Sequence, residues 1–437
     1  MTIGVKGTQM TELNPAQASS RRTFLQNTAV TAATISTLGF PQAVHAAESD
    51  TLRVGLVGCG GRGTAAAIDA LSADPQTTLV AIGDTFPDRS AACLQTLSDT
   101  PEIASRVAVT EDTVFSGFDN FKKVIDSGID VVLLATPPHF RPEHLAYAVK
   151  QGKHSFVEKP IAVDVPGVLS VQKTCEEARQ KNLAVVSGLC WRYDLGVKET
   201  MKRIQDGAIG EIVSIESRYN TGTLWHRGHE PGWSDMEYQI RNWLYFTWLS
   251  GDHINEQAIH SLDKTAWLTG DTQPVQAMGI GGRQQRTDKK YGNIFDHHVV
   301  FYEYPSGVRV FFTTRQQDNC TPFVDEIVMG TKGTARILTN RIDGEKKWKY
   351  RGPKPSMYRV EHEELFKSIR DDTPINNGGY MTNSTLLAIM GRMCTYTGQD
   401  LKWDDVITNT ERLGPNTYEW GSVSEGTVAI PGKTTIA

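Results

Sequence analysis

Residues 51–63 read TLRVGLVGCGGRG, and this stretch decides the fold. Leu52, Val54, Leu56 and Val57 make an apolar run suited to a buried strand. The run ends in Gly58-Cys59-Gly60-Gly61-Arg62-Gly63, which fits the spacing G-x-G-x-x-G, and a helical pattern follows over residues 64–71. A strand that enters a helix through such a turn can seat a pyrophosphate on the helix N-terminus. Gly58 permits the tight turn, Gly60 lets the backbone approach the phosphates, and Gly63 lets helix and strand pack closely. Cys59, Gly61 and Arg62 complete the candidate phosphate site. The turn alone also suits an ordinary strand–turn–helix. What favours a dinucleotide is the next strand, residues 78–83, which ends at Asp84, 21 positions after Gly63. There a carboxylate can hydrogen-bond a ribose 2′-hydroxyl. It would repel a 2′-phosphate, which argues for NAD; Arg62 and Arg89 nearby soften that preference and leave NADP open.

The chain has 437 residues, more than one hydrophobic core usually serves, so two domains are expected after any leader. It is 39% hydrophobic and 22% charged, with a net charge of −5. Its basic residues are scattered, so neither composition nor pattern supports nucleic-acid binding. Residues 20–25, SRRTFL, read as a twin-arginine export signal. A mildly apolar stretch follows over residues 28–40, and Val44-His45-Ala46 suits cleavage after Ala46. The stretch is too short and too polar for a permanent membrane anchor. Residues 1–46 are therefore expected to be a signal peptide, and the mature protein periplasmic or otherwise extracytoplasmic. Because this route carries folded proteins, a cofactor acquired in the cytoplasm is expected to be tightly held and recycled. The six cysteines form no C-x-x-C pair, so no zinc or redox motif is read from them.

Strand-like and helical runs alternate from residue 51 to about residue 190. Residues 130–135, DVVLLA, form a continuous apolar run expected of a central parallel strand. It leads into Thr136-Pro137-Pro138-His139, at the end of the sheet where open α/β folds bind ligands. The expected fold class is α/β. A doubly wound Rossmann domain over residues 47–190 is followed by an α+β substrate-binding and oligomerisation domain over residues 191–437. The latter shows strand patterns without intervening helices, such as 211–219, 298–304 and 308–314, which predict a large, mainly antiparallel sheet. An open sheet of this kind suits packing against another subunit, so a homodimer or homotetramer is expected.

Three further features carry chemistry. Glu158-Lys159-Pro160 ends a short strand at residues 154–157. A lysine beside a nicotinamide can exchange a proton with a substrate oxygen, provided burial or nearby positive charge lowers its pKa. A surface lysine in a turn is the alternative. Next, a single helix over residues 253–260 would place His253, Glu256, Gln257 and His260 on one face. Glu256 could then orient the His260 imidazole as a proton relay. Nothing nearby completes a recognised metal motif, so no metal is assigned, and buried structural histidines are the plainer alternative. Finally, Trp225, Trp233, Trp243 and Trp248 fall within 24 residues, together with Tyr238, Tyr245, His226 and Arg227. Such aromatics suit the apolar faces of sugar rings and equally suit a subunit interface.

The glycine turn with Asp84, Ala135-Thr136-Pro137-Pro138, Glu158-Lys159-Pro160 and the E-x-x-x-H segment occur in that order. Together with Trp191-Arg192-Tyr193-Asp194 and Ile209-Gly210-Glu211-Ile212, they resemble the Gfo/Idh/MocA oxidoreductases over roughly residues 51–405. The resemblance implies a bound NAD or NADP and a sugar, polyol or sugar-derivative substrate. It makes Lys159 the catalytic lysine, with Pro160 after a cis bond, and His260 the acid/base or substrate-hydroxyl partner. Glu256 stands where the family's usual pattern has aspartate. Thr136, Pro137, His139, Glu158 and Lys159 join Gly58 to Gly63 and Asp84 as the expected cofactor site. Arg192, Tyr193, Trp225, His253 and His260 are the expected substrate contacts. Hydride transfer at a secondary hydroxyl is the leading expectation. A glycosidase or lyase using transient oxidation, and a non-catalytic sugar-binding protein, are the alternatives.

Overall fold

The strand at Leu52–Val57 (β1) pairs in parallel on both edges, with Thr77–Asp84 (β2) on one side and Val131–Leu134 (β4) on the other. Val114–Ser116 (β3), His154–Val157 (β5) and Val185–Ser187 (β6) complete a six-stranded parallel sheet of order β3-β2-β1-β4-β5-β6. Every side chain of β4 is buried, as its unbroken apolar run predicts. The connecting helices are α1 (Gly61–Ala73), α2 (Pro87–Ser98), α3 (Asn120–Asp126), α4 (Arg141–Lys150) and α5 (Val165–Gln180). Strand order reverses between β1 and β4, which opens a crevice at the carboxyl ends of the strands, over the glycine turn. This computed structural model describes residues 50–435; the export signal read at residues 1–46 lies outside the described residues.

After α6 (Leu195–Gln205) the chain enters a nine-stranded sheet through β7 (Ile212–Thr221). Four short helices follow: α7 (Asp235–Arg241), α8 (Thr247–Ser250), α9 (His253–Glu256) and α10 (Ile259–Leu268). The remaining strands are β8 (Gln276–Gly282), β9 (His297–Glu303), β10 (Arg309–Gln316), β11 (Phe323–Gly330), β12 (Gly333–Arg336), β13 (Arg341–Gly344), β14 (Trp348–Lys349) and β15 (Leu401–Lys402). All pairings are antiparallel except β7 with β10. Strands β9 and β10 alternate buried and more exposed residues, so one face of the sheet is core and the other is open. The core face receives α10 and the long helix α12 (Gly378–Thr397); the helix before it, α11 (Met357–Arg370), packs instead on α1. Helix α12 also packs on α5, so the two sheets share one continuous core. Residues 50–435 accordingly form one compact unit.

The single helix expected over residues 253–260 is in fact two. Asp252 enters α9 with a φ of 72°, and its carboxylate caps the His253 N–H. At the far end the Ala258 N–H reaches back to the His253 carbonyl, one residue beyond the α-helical bond, and α10 starts anew at Ile259. The aromatic segment is likewise partly helical. Ser234 caps α7 through the Glu237 N–H, and Tyr245, Phe246 and Trp248 join Phe86 and Phe140 in a separate apolar cluster.

Candidate active site

Helix α1 starts at the glycine turn with no side-chain cap and no acidic residue in its first turn. Its N-terminal N–H groups are therefore left for an anion. Gly58 has a φ of 99°, and a Cβ on Gly63 would lie 1.8 Å from the Gly58 carbonyl oxygen. Only glycine fits either position. Gly60 and Gly61 instead face open space. The turn borders a cavity of about 260 Å³ that also meets Asp84, Thr136 and Pro137. Cys59 is buried, and its N–H donates to Asp84 Oδ2 at 2.7 Å; Asp84 Oδ1 accepts from the Phe86 N–H at 3.0 Å. The carboxylate at the end of β2 is thus held in place at the wall of the cavity. An open glycine cradle, an uncapped helix end and a fixed acidic group fit a dinucleotide.

Arg62, expected at the phosphates, turns its side chain elsewhere. Its Nε donates to Glu158 Oε1 at 2.5 Å, and the guanidinium lies 3.7 Å from both Asp69 and Glu361. Glu361, on α11, is fully buried; burial, reinforced by Glu158, holds its carboxyl well above the usual range. Arg62 still borders the cavity, whereas His139 does not line it. Its Nε2 pairs with the Tyr418 hydroxyl at 2.7 Å, and burial lowers its pKa to about 4.

Lys159 follows β5 and precedes Pro160 through a cis peptide. Its Nζ donates to the Glu256 carbonyl at 2.5 Å, which ties the end of the parallel sheet to the α9–α10 break. The Glu256 carboxyl is buried; burial raises its pKa to about 7 against the opposing pull of Lys159, Arg286 and Gln316. His260 is held well below its ordinary value by burial and by the positive charges of Lys159, Lys264 and Arg62, so its imidazole is neutral. Its Nδ1 is buried without a hydrogen-bond partner among the described residues. Lys159, Glu256 and His260 therefore do converge. The Glu256 carboxylate, expected to orient His260, is instead held toward Gln316, with Lys159 and Arg286 as its nearby positive charges.

Three expected substrate contacts have structural work. Arg192 is bound by Asp263 at 2.9 Å and Asp271 at 2.7 Å. Buried Tyr193 donates its hydroxyl to Asn377 Oδ1 at 2.9 Å. His253 is fully enclosed and pairs with Asp252 Oδ1 at 2.9 Å. Asp252, His253 and His298 have ligand atoms within 4.8 Å of one another, a spacing that could hold a metal. Tyr396 already donates to Asp252 at 2.6 Å, and the Arg286 guanidinium 3.5 Å from His253 Nδ1 opposes a further cation. Trp225 lines the same cavity as Asp84, with Arg227, Arg241 and Trp243.

The residues missed from sequence are Arg286 and Gln316, which bond to each other beneath Glu256. Gln316 Nε2 also donates to Gln257 Oε1 at 2.6 Å. A polar residue at an inward position of β10, after Val310, Phe312 and Thr314, was the available signal for Gln316. Arg286 lies in an irregular segment with no periodicity to mark it.

Two models of one family match adjacent parts of the chain. The model of the oxidoreductase family with NAD-binding Rossmann fold matches residues 52–187, and that of the GFO/IDH/MocA C-terminal domain matches residues 197–336. Together they cover more than half of the sequence. The chain belongs to the Gfo/Idh/MocA family. Among its relatives is 2,7-anhydro-N-acetylneuraminate hydratase of Escherichia coli, 30% identical over 209 residues, which are 48% of this chain and 51% of the hydratase. Glycosyl hydrolase family 109 protein 1 of Phocaeicola vulgatus is 25% identical over 263 residues, 59% of this chain and 54% of the relative. Inositol 2-dehydrogenase 3 of Saccharopolyspora erythraea is 28% identical over 288 residues, 66% of this chain and 73% of the relative. The chain thus spans about half the length of the first two.

Proposed function

We propose that this protein is an NAD-dependent oxidoreductase acting on a secondary hydroxyl of a sugar, polyol or sugar derivative. The observation that carries this reading is the convergence of Lys159, Glu256 and His260, joined through Glu158 and Arg62 to a glycine turn built for a dinucleotide. A nicotinamide bound there supplies hydride acceptance and return. Lys159 exchanges the hydroxyl proton, the neutral His260 imidazole bonds the substrate oxygen, and Glu256 sets the charge facing the lysine. Asp84 favours NAD over NADP, because its carboxylate borders the ribose end of the cleft. The inositol dehydrogenase relative supports the substrate class. Incubation with a panel of sugars and polyols, following nicotinamide absorbance and products together, tests it.

The second reading is a redox-neutral lyase or glycosidase in which oxidation is transient. It is favoured by the hydratase and glycosyl hydrolase relatives. Bond cleavage without net nicotinamide reduction distinguishes it from the first. We further propose export through the twin-arginine signal, retention of the cofactor between turnovers, and assembly into a dimer or tetramer through the open sheet face. No helix among the described residues is long and apolar enough to cross a membrane.

A further inference from the structure

The cavity at the glycine turn has two walls. One is the end of β2 and the start of α2, with Asp84, Phe86 and Arg89; the other is the aromatic segment, with Trp225, Arg227 and Trp243. The walls share an apolar cluster through Phe86, and a bidentate ion pair joins them. Arg241, at the end of α7, donates to both carboxylate oxygens of Asp88 in the first turn of α2, at 3.0 and 2.9 Å. Its guanidinium lies 3.9 Å from the Phe86 ring centre and 4.9 Å from that of Trp233, and its Nε donates to Glu237 at 2.8 Å. Asp84, which holds the Phe86 N–H, is only four positions from Asp88.

A further layer lies outside α7. Trp420 packs on Phe86 and Phe118, with centroids 5.7 and 4.8 Å apart. The Met236 N–H donates to the Gly421 carbonyl at 3.1 Å, and Gln239 Nε2 reaches the Val423 and Ser424 carbonyls. Two guanidiniums, Arg89 and Arg227, face the cavity near each other. Burial, and then Arg227, pushes Arg89 below its ordinary value. Like charges beside indole faces suit a ligand that combines a flat aromatic base with phosphate.

We propose that the aromatic segment is the second wall of the adenosine pocket, and that the Arg241–Asp88 pair is the latch that retains the dinucleotide. The proposal rests on the dinucleotide reading above. An adenosine anchored at Asp84 lies under Trp225 and Trp243, and it leaves only after α7 lifts from α2. A bidentate guanidinium–carboxylate pair has a defined geometry that neither a lysine nor an amide reproduces.

The test uses the full chain loaded with NADH and chased with excess NAD, following loss of energy transfer from tryptophan to nicotinamide. Release is expected at least tenfold faster in Asp88→Asn and in Arg241→Gln, with the double variant no faster than the quicker single. Release at the parental rate in Asp88→Asn overturns the latch. That variant decides alone if Arg241→Gln fails to fold, since the Asp88 side chain is 60% exposed. A parental protein that takes up no NADH overturns the dinucleotide reading itself.

Discussion

Arg62 of the glycine turn donates to Glu158 at the end of β5 at 2.5 Å, across 96 positions of sequence. The next residue, Lys159, donates to Glu256 in the second part of the chain. One continuous polar path thus links the cofactor turn, the lysine and the α9–α10 break. The glycine turn, Lys159 and Glu256 are set relative to one another by side-chain bonds as well as by the sheet.

Lys159→Ala removes the ammonium but leaves the turn and Asp84 untouched. Turnover is expected to fall by about 100-fold or more, with NADH affinity within about twofold of the parent. Steady-state rates and fluorescence titration check this. Unchanged turnover removes the lysine from the reaction.

Glu256 has its folded pKa raised from 4.5 to about 7, chiefly by burial. The folded state then keeps a proton that the unfolded state has lost. The contribution of this group to stability is most favourable below about pH 4.5 and declines as pH rises to about 7, by roughly 3 kcal/mol in all. Glu256→Gln is expected to flatten that part of the profile, read from denaturant unfolding at each pH. An unchanged slope contradicts the assignment.

Gly63→Ala puts a Cβ 1.8 Å from the Gly58 carbonyl oxygen. Neither partner is a flexible side chain, so the strand–helix packing must open. A loss of more than about 3 kcal/mol is expected, with weakened NADH binding. Thermal melting at parental temperature contradicts the packing argument.

These sites differ in how far they were legible beforehand. The glycine turn, Asp84 and Lys159 were, because local periodicity and spacing determine a strand end and the turn after it. The antiparallel sheet was legible in outline from alternation, whereas β8 and the short strands β13 to β15 carried too weak a pattern. The roles of Arg192, Tyr193 and His253 were not legible. Arg192 and Tyr193 are decided by partners far away in sequence, Asp263 and Asn377, and His253 by its neighbour Asp252, which Phe295 and Tyr396 hold from afar. The break between α9 and α10 was hidden too, since it falls at Gln257 and Ala258, neither of which is a helix-breaking residue.

The open face of the large sheet exposes Val213, Met278, Ile280 and Phe311, with Ile280 66% accessible. Contiguous apolar side chains on an open sheet face suit a subunit interface. Light scattering is expected to give two or four times the protomer mass, and Ile280→Asp with Phe311→Asp to give the protomer alone. A monomeric parent at micromolar concentration contradicts the assembly.

The central claim is hydride transfer from a secondary carbon to the nicotinamide beside Lys159. Its most direct test uses sugars and polyols deuterated at their secondary carbons, with mass analysis of the recovered nicotinamide. Deuterium in the recovered NADH, with a ketone product, and loss of both in Lys159→Ala, is the predicted result. No deuterium in the nicotinamide from any substrate consumed by the protein would contradict the account.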